Sequence, residues 1–500
     1  MTIDDERRIT PEHPASPPAV IADRGVGAIV ASAAGDALGA GYEFGPPLAD
    51  DVAVAMVGGG SFGWAPGEWT DDTQMAVCIL DGLSRGDTDP AAASDAFRTW
   101  FSSGPADVGV QTSAVLRSAG SLAQAAAEYH RAHPDRSAGN GSLMRTGPIA
   151  LAAPGRPDEI ATLAVEFSAL THADPDCLDA CALWSVAIDH SIHHAPGAEA
   201  VWSYADALRV GLDHLPADRR DRWAGLISEA EIASPREFTR NGWVVHAFQA
   251  ALAAAQCTPV PRAHHAPDHL RRSLEAAVRV GGDTDTVAAI AGSLLGARWG
   301  ATAVPVEWRR ILHGRGAAAD DAWTASRLDT AARWAANGGA PGANGWPGCD
   351  SLLGHYRSSA APVGRDSELA GVRFGDVTTL ADAVKEGADV VVSLCRMGTR
   401  DVPDHVEHHV IGIHDTESAD NPNLVWVLTD LVDTVAAAVA DGRRVFVHCV
   451  AAENRTPTVA AAWLRRHHGH DADEALIVAG RSLHTPREFL ADAVRAIEPR

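Results

Sequence analysis

Apolar residues recur at spacings of three and four through most of the stretch from Gly25 to about Asn337. The segments LAQAAAEYHRA (122–132), CLDACALWSVAIDHSI (177–192) and VVHAFQAALAAA (244–255) each place them on one side of a helix. Gly and Pro clusters punctuate these segments. The pattern predicts one large all-α domain over residues 23–337. Residues 1–22, where proline and charge dominate without periodicity, read as a flexible tail. The run ANGGAPGANGWPGCDSLLG, from Ala336 to Gly354, breaks helices and places a linker over 338–360. Beyond it the period changes. Short β-rich runs end at Cys395, His414 and Cys449 and alternate with helical stretches such as NLVWVLTDLVDTVAAAVADG and PTVAAAWLRRHHG. That alternation predicts a smaller α/β domain over 361–500 with a central, mostly parallel sheet.

The length of 500 residues fits two such units, and a hydrophobic fraction of 46% supplies their cores. A net charge of −24 argues against binding to nucleic acid backbones. Seven cysteines form no CxxC pair, as expected of a reducing compartment. No secretory signal opens the chain and no apolar run is long enough to span a bilayer, so the expectation is a cytoplasmic protein without a membrane partner.

Two acidic segments change the picture. EWTDDTQMA carries Thr70, Asp71, Asp72 and Thr73; GGDTDTVAAIAG carries Asp283, Thr284, Asp285 and Thr286. Each crowds two carboxylates and hydroxyls into four residues ahead of an apolar helical run. Ionised carboxylates so close together require a counter-charge, and neither motif holds a Lys or Arg. All-oxygen ligands select hard cations, so magnesium or manganese suits them better than zinc. The plainer alternative is helix capping, which Asp and Thr also favour. The two are compatible, but a cap needs only one such residue. Three further segments look like parts of a ligand site: GDALGAGYE with Asp36 and Glu43, AGNGSLMR with Asn140, Gly141 and Arg145, and THADP with His172 and Asp174.

Taken in order, GDALG…E, WTDDT, PADVG, GNGSLMR, THADP and GGDTDT closely resemble the ADP-ribosylglycohydrolase family, over about Val26 to Gly300. The resemblance implies an all-α fold, two Mg²⁺ or Mn²⁺ ions, and hydrolysis of a ribosyl bond in an ADP-ribosylated protein or a small ADP-ribosyl compound. It maps the metal ligands onto Thr70, Asp71, Asp72, Asp283, Asp285 and Thr286. It lays Asn140, Gly141, Arg145, His172 and Gly282 along the substrate cleft, and sets Glu43 and Asp107 beside the metals. Cleavage at the anomeric carbon develops oxocarbenium character, and Glu43 or Asp107 could orient the attacking water or take its proton. The two remain equivalent at this point.

In the C-terminal part, RRVFVHCVAAENRTPTVAAAWL runs an apolar strand into His448 and Cys449, with five residues separating Cys449 from Arg455. A loop of that length followed by a helix can wrap a tetrahedral oxyanion, lower a thiol pKa and offer Arg455 as a bidentate partner. Thr456 could hydrogen-bond the sulfur. The run resembles the signature of cysteine-dependent tyrosine and dual-specificity phosphatases, over about Gly371 to Leu490. That resemblance implies a phosphorylated substrate and a general acid on a separate loop, for which Asp415 is better placed than Asp420. The family's usual glycine is replaced by Ala452, followed by Glu453. If Glu453 points outward the loop still works; if inward it opposes phosphate.

Two rival readings follow. One is a phosphatase whose α domain recruits an ADP-ribosylated target; the other is a non-catalytic ADP-ribose reader. The histidine pairs at 264/265 and 408/409 and the run 467–470 read as solvated surface rather than zinc sites.

Overall fold

The computed structural model describes residues 16–197, 200–340, 365–395, 402–403 and 405–500. The three helices foreseen from periodicity are present at Leu122–Ala132, Pro175–His194 and Val244–Cys257. The second starts on a sharp signal: Asp174 accepts from the Asp176 N–H at 2.9 Å and proline follows it. The first helix, Pro18–Gly39, begins inside the segment read as a tail, because Pro18 occupies a position where no backbone N–H is missed. Residues 341–364, which take in most of the linker expected over 338–360, lie outside the described residues.

The helical part is organised on the helices Pro18–Gly39 and Thr284–Trp299. Every residue of the latter is buried, so it has no polar face. Small residues let their backbones touch. A Cβ added at Gly35 would lie 2.2 Å from the Ala288 carbonyl oxygen, at Gly292 2.2 Å from that of Ala31, and at Gly296 2.0 Å from that of Gly27. These contacts make the pair antiparallel. They bring the end of the first helix against the start of the second, where a Cβ on Gly39 would meet the Asp285 Cα at 2.5 Å.

One feature departs from all-α. Strands β1 (His313–Arg315) and β2 (Ala322–Thr324) pair antiparallel around the buried Trp323. They hold the segment before Thr70: the Trp69 N–H donates to the His313 carbonyl at 3.1 Å and its indole to the Arg315 carbonyl at 3.3 Å.

The C-terminal part holds a five-stranded mixed sheet: β3 (Asp366–Leu369), β4 (Val372–Asp376), β5 (Val390–Ser393), β6 (Glu407–Val410) and β7 (Val445–Cys449). The order is β3-β4-β7-β5-β6, antiparallel between β3 and β4 and parallel elsewhere. The β3–β4 hairpin was not foreseen. It turns at Ala370 and Gly371, with φ of 50° and 81°, the positive pair a tight hairpin needs. Helices Leu424–Ala440, Arg455–His467 and Glu488–Ala496 share an apolar core with the sheet around Phe374, Leu428, Leu431, Val447 and Leu490.

Hydrogen bonds tie the two parts. Asp430 Oδ2 accepts from the Val306 N–H at 2.8 Å, and Asn423 Nδ2 donates to the Trp299 carbonyl at 2.6 Å and to Thr302 Oγ1 at 3.0 Å. Among the described residues no helix is long and apolar enough to cross a membrane. The histidines read as surface are partly structural instead. His409 is buried against Glu407 at 2.8 Å, His408 bonds Ser393 at 2.8 Å, and His467 bonds Asp433 at 2.8 Å. Each has a polar partner that pattern alone could not reveal.

Candidate active site

The close-packed helix pair sets the first side chain. Asp36, fully buried, accepts from the Thr70 N–H at 2.9 Å, from the Thr73 N–H at 3.0 Å and from the Thr73 hydroxyl at 2.5 Å. It therefore anchors the WTDDT segment where helix Asp71–Leu83 begins. Thr70 is the N-cap of that helix, its hydroxyl accepting from the Asp72 N–H at 3.4 Å. Asp72 Oδ2 accepts from Thr70 Oγ1 at 3.2 Å and, across the fold, from Thr286 Oγ1 at 3.3 Å. The two acidic segments are thus side by side, 214 residues apart in sequence. Asp283 is fixed from a third direction. Its Oδ2 accepts from Asn140 Nδ2 at 2.8 Å, and its N–H donates to Asn241 Oδ1 at 3.1 Å.

Asp72, Asp283 and Thr286 belong to the floor of a cavity of about 620 Å³. Glu43, Asp71, Asp72, Asp107, Asp283, Asp285 and Thr286 line it on one side, the loop Gly139–Gly141 and His172 on another, and Phe44, Tyr129, His133 and Arg136 also border it. Burial, then Asp107, Asp283 and Asp71, push the Glu43 carboxyl up to about 9. Burial, with neighbouring acids adding to it, holds Asp71, Asp72 and Asp285 well above the usual carboxylate range. Asp36 is raised less, to about 6, because its hydrogen bonds oppose its burial.

Among the described residues, three buried carboxylate oxygens have no hydrogen-bond partner, Glu43 Oε2, Asp72 Oδ1 and Asp285 Oδ1, as does the amide oxygen of Gln111 on the cavity wall. Glu43, Asp283 and Asp285 each offer an oxygen within 4.8 Å of the others. A buried acceptor left unpaired costs about 1–3 kcal/mol, and repelling carboxylates add to that. A hard cation relieves both, so the donor set fits one.

Not every expected residue reaches the cavity. Arg145 does not line it. The guanidinium is buried behind the wall, donating to Thr171 Oγ1 at 2.7 Å and lying 4.5 Å over the Phe97 ring. Gly282 also stands back. Its carbonyl accepts from the Phe44 N–H at 2.7 Å, and with φ of 71° a Cβ there would strike Asn241 Oδ1 at 2.6 Å. Thr70 lies beneath Asp72 rather than on the surface of the cavity. Asn241 and the rim trio Tyr129, His133 and Arg136 were missed. Tyr129 and His133 sit one helical turn apart with rings 4.6 Å apart, a pairing that periodicity reads only as a helix face.

The cysteine loop joins β7 to helix Arg455–His467. Ala452 has φ of 49°, the left-handed conformation that favours glycine, and is fully buried. Glu453 turns outward: its carboxylate pairs with Arg365 at 3.3 Å and is half exposed. Arg365 also donates to the Ala451 carbonyl at 2.8 Å. Asp415 Oδ2 lies 3.5 Å from Arg455 Nε, so the separate loop does reach this site. Thr456 does not serve the sulfur as expected; its hydroxyl is buried and donates to the Gly375 carbonyl at 3.2 Å. Burial drops His448, which bonds Ser393 at 2.7 Å, to about 3.

Fold and site together define a helical protein with a carboxylate-floored cavity, assembled from segments spread over its first three hundred residues. Residues 17–339 match the ADP-ribosylglycohydrolase family, and the chain belongs to it. It is 30% identical to the ADP-ribosylarginine hydrolase Tri1 of Pseudomonas putida, over 57% of this chain and 73% of that protein. It is 29% identical to the ADP-ribosyl-[dinitrogen reductase] glycohydrolase of Rhodospirillum rubrum, over 57% of this chain and 89% of that protein. A solved ADP-ribosylglycohydrolase-related protein complex is 28% identical and covers 64% of this chain and 99% of its own, with a TM-score of 0.49. Human DUSP28 covers 28% of this chain and 95% of its own at 18% identity and a TM-score of 0.24, too slight a likeness to define a fold.

Proposed function

We propose that the cavity binds ADP-ribose joined to a protein side chain, or to a small compound, and hydrolyses the ribosyl bond with the help of two Mg²⁺ or Mn²⁺ ions. The observation that carries this reading is the set of unpartnered buried oxygens on Glu43, Asp72 and Asp285 within a floor of mutually repelling carboxylates. Asp71, Asp72, Asp283, Asp285 and Thr286 are the residues that would hold the ions, with Thr70 supporting Asp72 from beneath. When bound, such ions polarise ribose hydroxyls and make water a better nucleophile near neutral pH.

The remaining work falls to the chain's own side chains. Asn140 orients Asp283, and the Gly139–Gly141 loop leaves room for a ligand to approach its backbone. Glu43 groups with Asp283 and Asp285, whereas Asp107 shares a hydrogen bond with Asp71. Either carboxyl can hold the proton of the attacking water. Relatives named for ADP-ribosylarginine make an arginine-linked substrate the first to try. Incubation with ADP-ribosylarginine and with ADP-ribosylated protein, with and without EDTA, tests the proposal. Release of ADP-ribose that EDTA stops and Mg²⁺ restores is expected; equal release in EDTA would overturn the role of the ions, and tight ADP-ribose binding without turnover would favour the reader alternative.

A second reading concerns residues 361–500, proposed as a phosphatase-like unit with Cys449 as nucleophile, Arg455 gripping phosphate and Asp415 as acid. The outward turn of Glu453 and the approach of Asp415 to Arg455 support it. Turnover of an aryl phosphate that is lost in Cys449→Ser checks it; no turnover leaves a phosphate- or partner-binding module. We propose a cytoplasmic location for the whole.

A further inference from the structure

Among the described residues His172 makes one side-chain hydrogen bond: Nδ1 lies 2.7 Å from Thr171 Oγ1. The same hydroxyl oxygen lies 2.7 Å from Nη2 of the buried Arg145. A guanidinium has donors and no acceptor. Thr171 Oγ1 therefore accepts from Arg145, and among the described residues its own buried proton has no acceptor other than Nδ1. Nδ1 accepts, and the proton of a neutral imidazole then sits on Nε2. The ring is held neutral by its surroundings, since burial and the Arg145 charge drive its pKa down to about 3.

The other nitrogen faces a space kept clear for it. His172 lines the cavity, and a Cβ placed on Gly141 would come within 3.0 Å of the ring Cε1 and 3.3 Å of Nε2. One on Gly139 would come within 3.4 Å of Nε2. The two glycines of GNG thus border the one free nitrogen of the ring.

We infer that Arg145 and Thr171 are positioning residues that lock His172 as the Nε2–H tautomer, so that the cavity wall presents a fixed neutral donor to an acceptor oxygen of the ligand. His172 in this state has no lone pair on Nε2 and takes no proton from substrate or water. Arg145, which does not reach the cavity, acts on the ligand through two intervening groups. The donor's use for ADP-ribose rests on the function proposed above; the tautomer does not.

The test uses the full-length protein labelled with ¹⁵N-histidine, the His172 signals being assigned by their loss in His172→Gln. The expected spectrum at neutral pH shows protonated Nε2 and an Nδ1 shifted as a hydrogen-bond acceptor. Thr171→Val should lose that shift and bind ADP-ribose about tenfold more weakly by calorimetry in Mg²⁺, while Thr171→Ser keeps both. A proton on Nδ1 in the unaltered protein, or unchanged affinity in a folded Thr171→Val, overturns the inference. The expected tautomer in a protein that fails to bind ADP-ribose upholds the relay and removes the ADP-ribose reading instead.

Discussion

Asp285 is one of several acids whose ionised form the fold alone does not support. Its carboxyl is raised by burial first and by Asp72, Asp283 and Glu43 next. A raised folded-state pKa contributes stability that is complete below the ordinary carboxylate range and lost as pH rises through the folded value. The cation-free protein therefore carries a cost that grows as pH rises above the ordinary carboxylate range. Asp285→Asn should raise its melting temperature in EDTA at pH 8 by about 2 °C or more, with a much smaller rise at pH 5. The same variant should lose roughly a hundredfold or more of Mg²⁺-dependent ADP-ribose release. Scanning calorimetry and a product assay read the two effects, and no rise in EDTA would show that these acids do not repel one another. At the second site, Glu453→Ala should change aryl phosphate turnover by less than about twofold, because an exposed ion pair with Arg365 is worth little. A large gain would mean that Glu453 obstructs the loop. Residue types made both candidate sites legible: clustered carboxylates and an HC…R spacing are chemical statements in themselves. Direction was not legible. Arg145 has the chemistry of a phosphate ligand, yet its guanidinium is turned toward Thr171 and Phe97.

Helix Thr284–Trp299 shows what an element adds. Its N-terminal residues floor the cavity, and its Trp299 carbonyl is held by Asn423 from the C-terminal part. What aligns it is the backbone contact with helix Pro18–Gly39. Gly292→Ala puts a methyl group 2.2 Å from the Ala31 carbonyl oxygen, backbone against backbone, so the helices must separate. The expected cost is about 1–3 kcal/mol, read by urea denaturation. A weaker Mg²⁺ response should accompany it, because the contact also sets Asp36 against the Thr70–Thr73 segment. An unchanged midpoint would mean that the seam is slack. Amphipathic helices were legible from period. This helix was legible only as an apolar helical run, since burial on every side erases the period, and the β3–β4 hairpin, whose strands lack a run of β-branched residues, was not legible at all.

On the scale of the whole molecule, Asp430 is the group to watch. It reaches from helix Leu424–Ala440 to the Val306 N–H, and burial raises it from 3.8 to about 6 despite that bond. Its contribution is therefore complete below about pH 4 and declines as pH rises through 6. Asp430→Asn keeps an oxygen for Val306 and loses the charge. The melting temperature should rise at pH 8 and stay level or fall at pH 4; a drop at both values would assign the ionised carboxylate a favourable partner instead.

Residue order alone determined the chemistry available to this protein and its division into a helical and an α/β part, because helix period, turn residues and ligand types are local properties. Which oxygens share one cavity floor, which way Arg145 and Glu453 turn, and which nitrogen of His172 carries the proton were decided only by tertiary structure. Those outcomes depend on how closely two backbones approach and on partners tens to hundreds of residues away, beyond the few residues over which helix period and turn signals act.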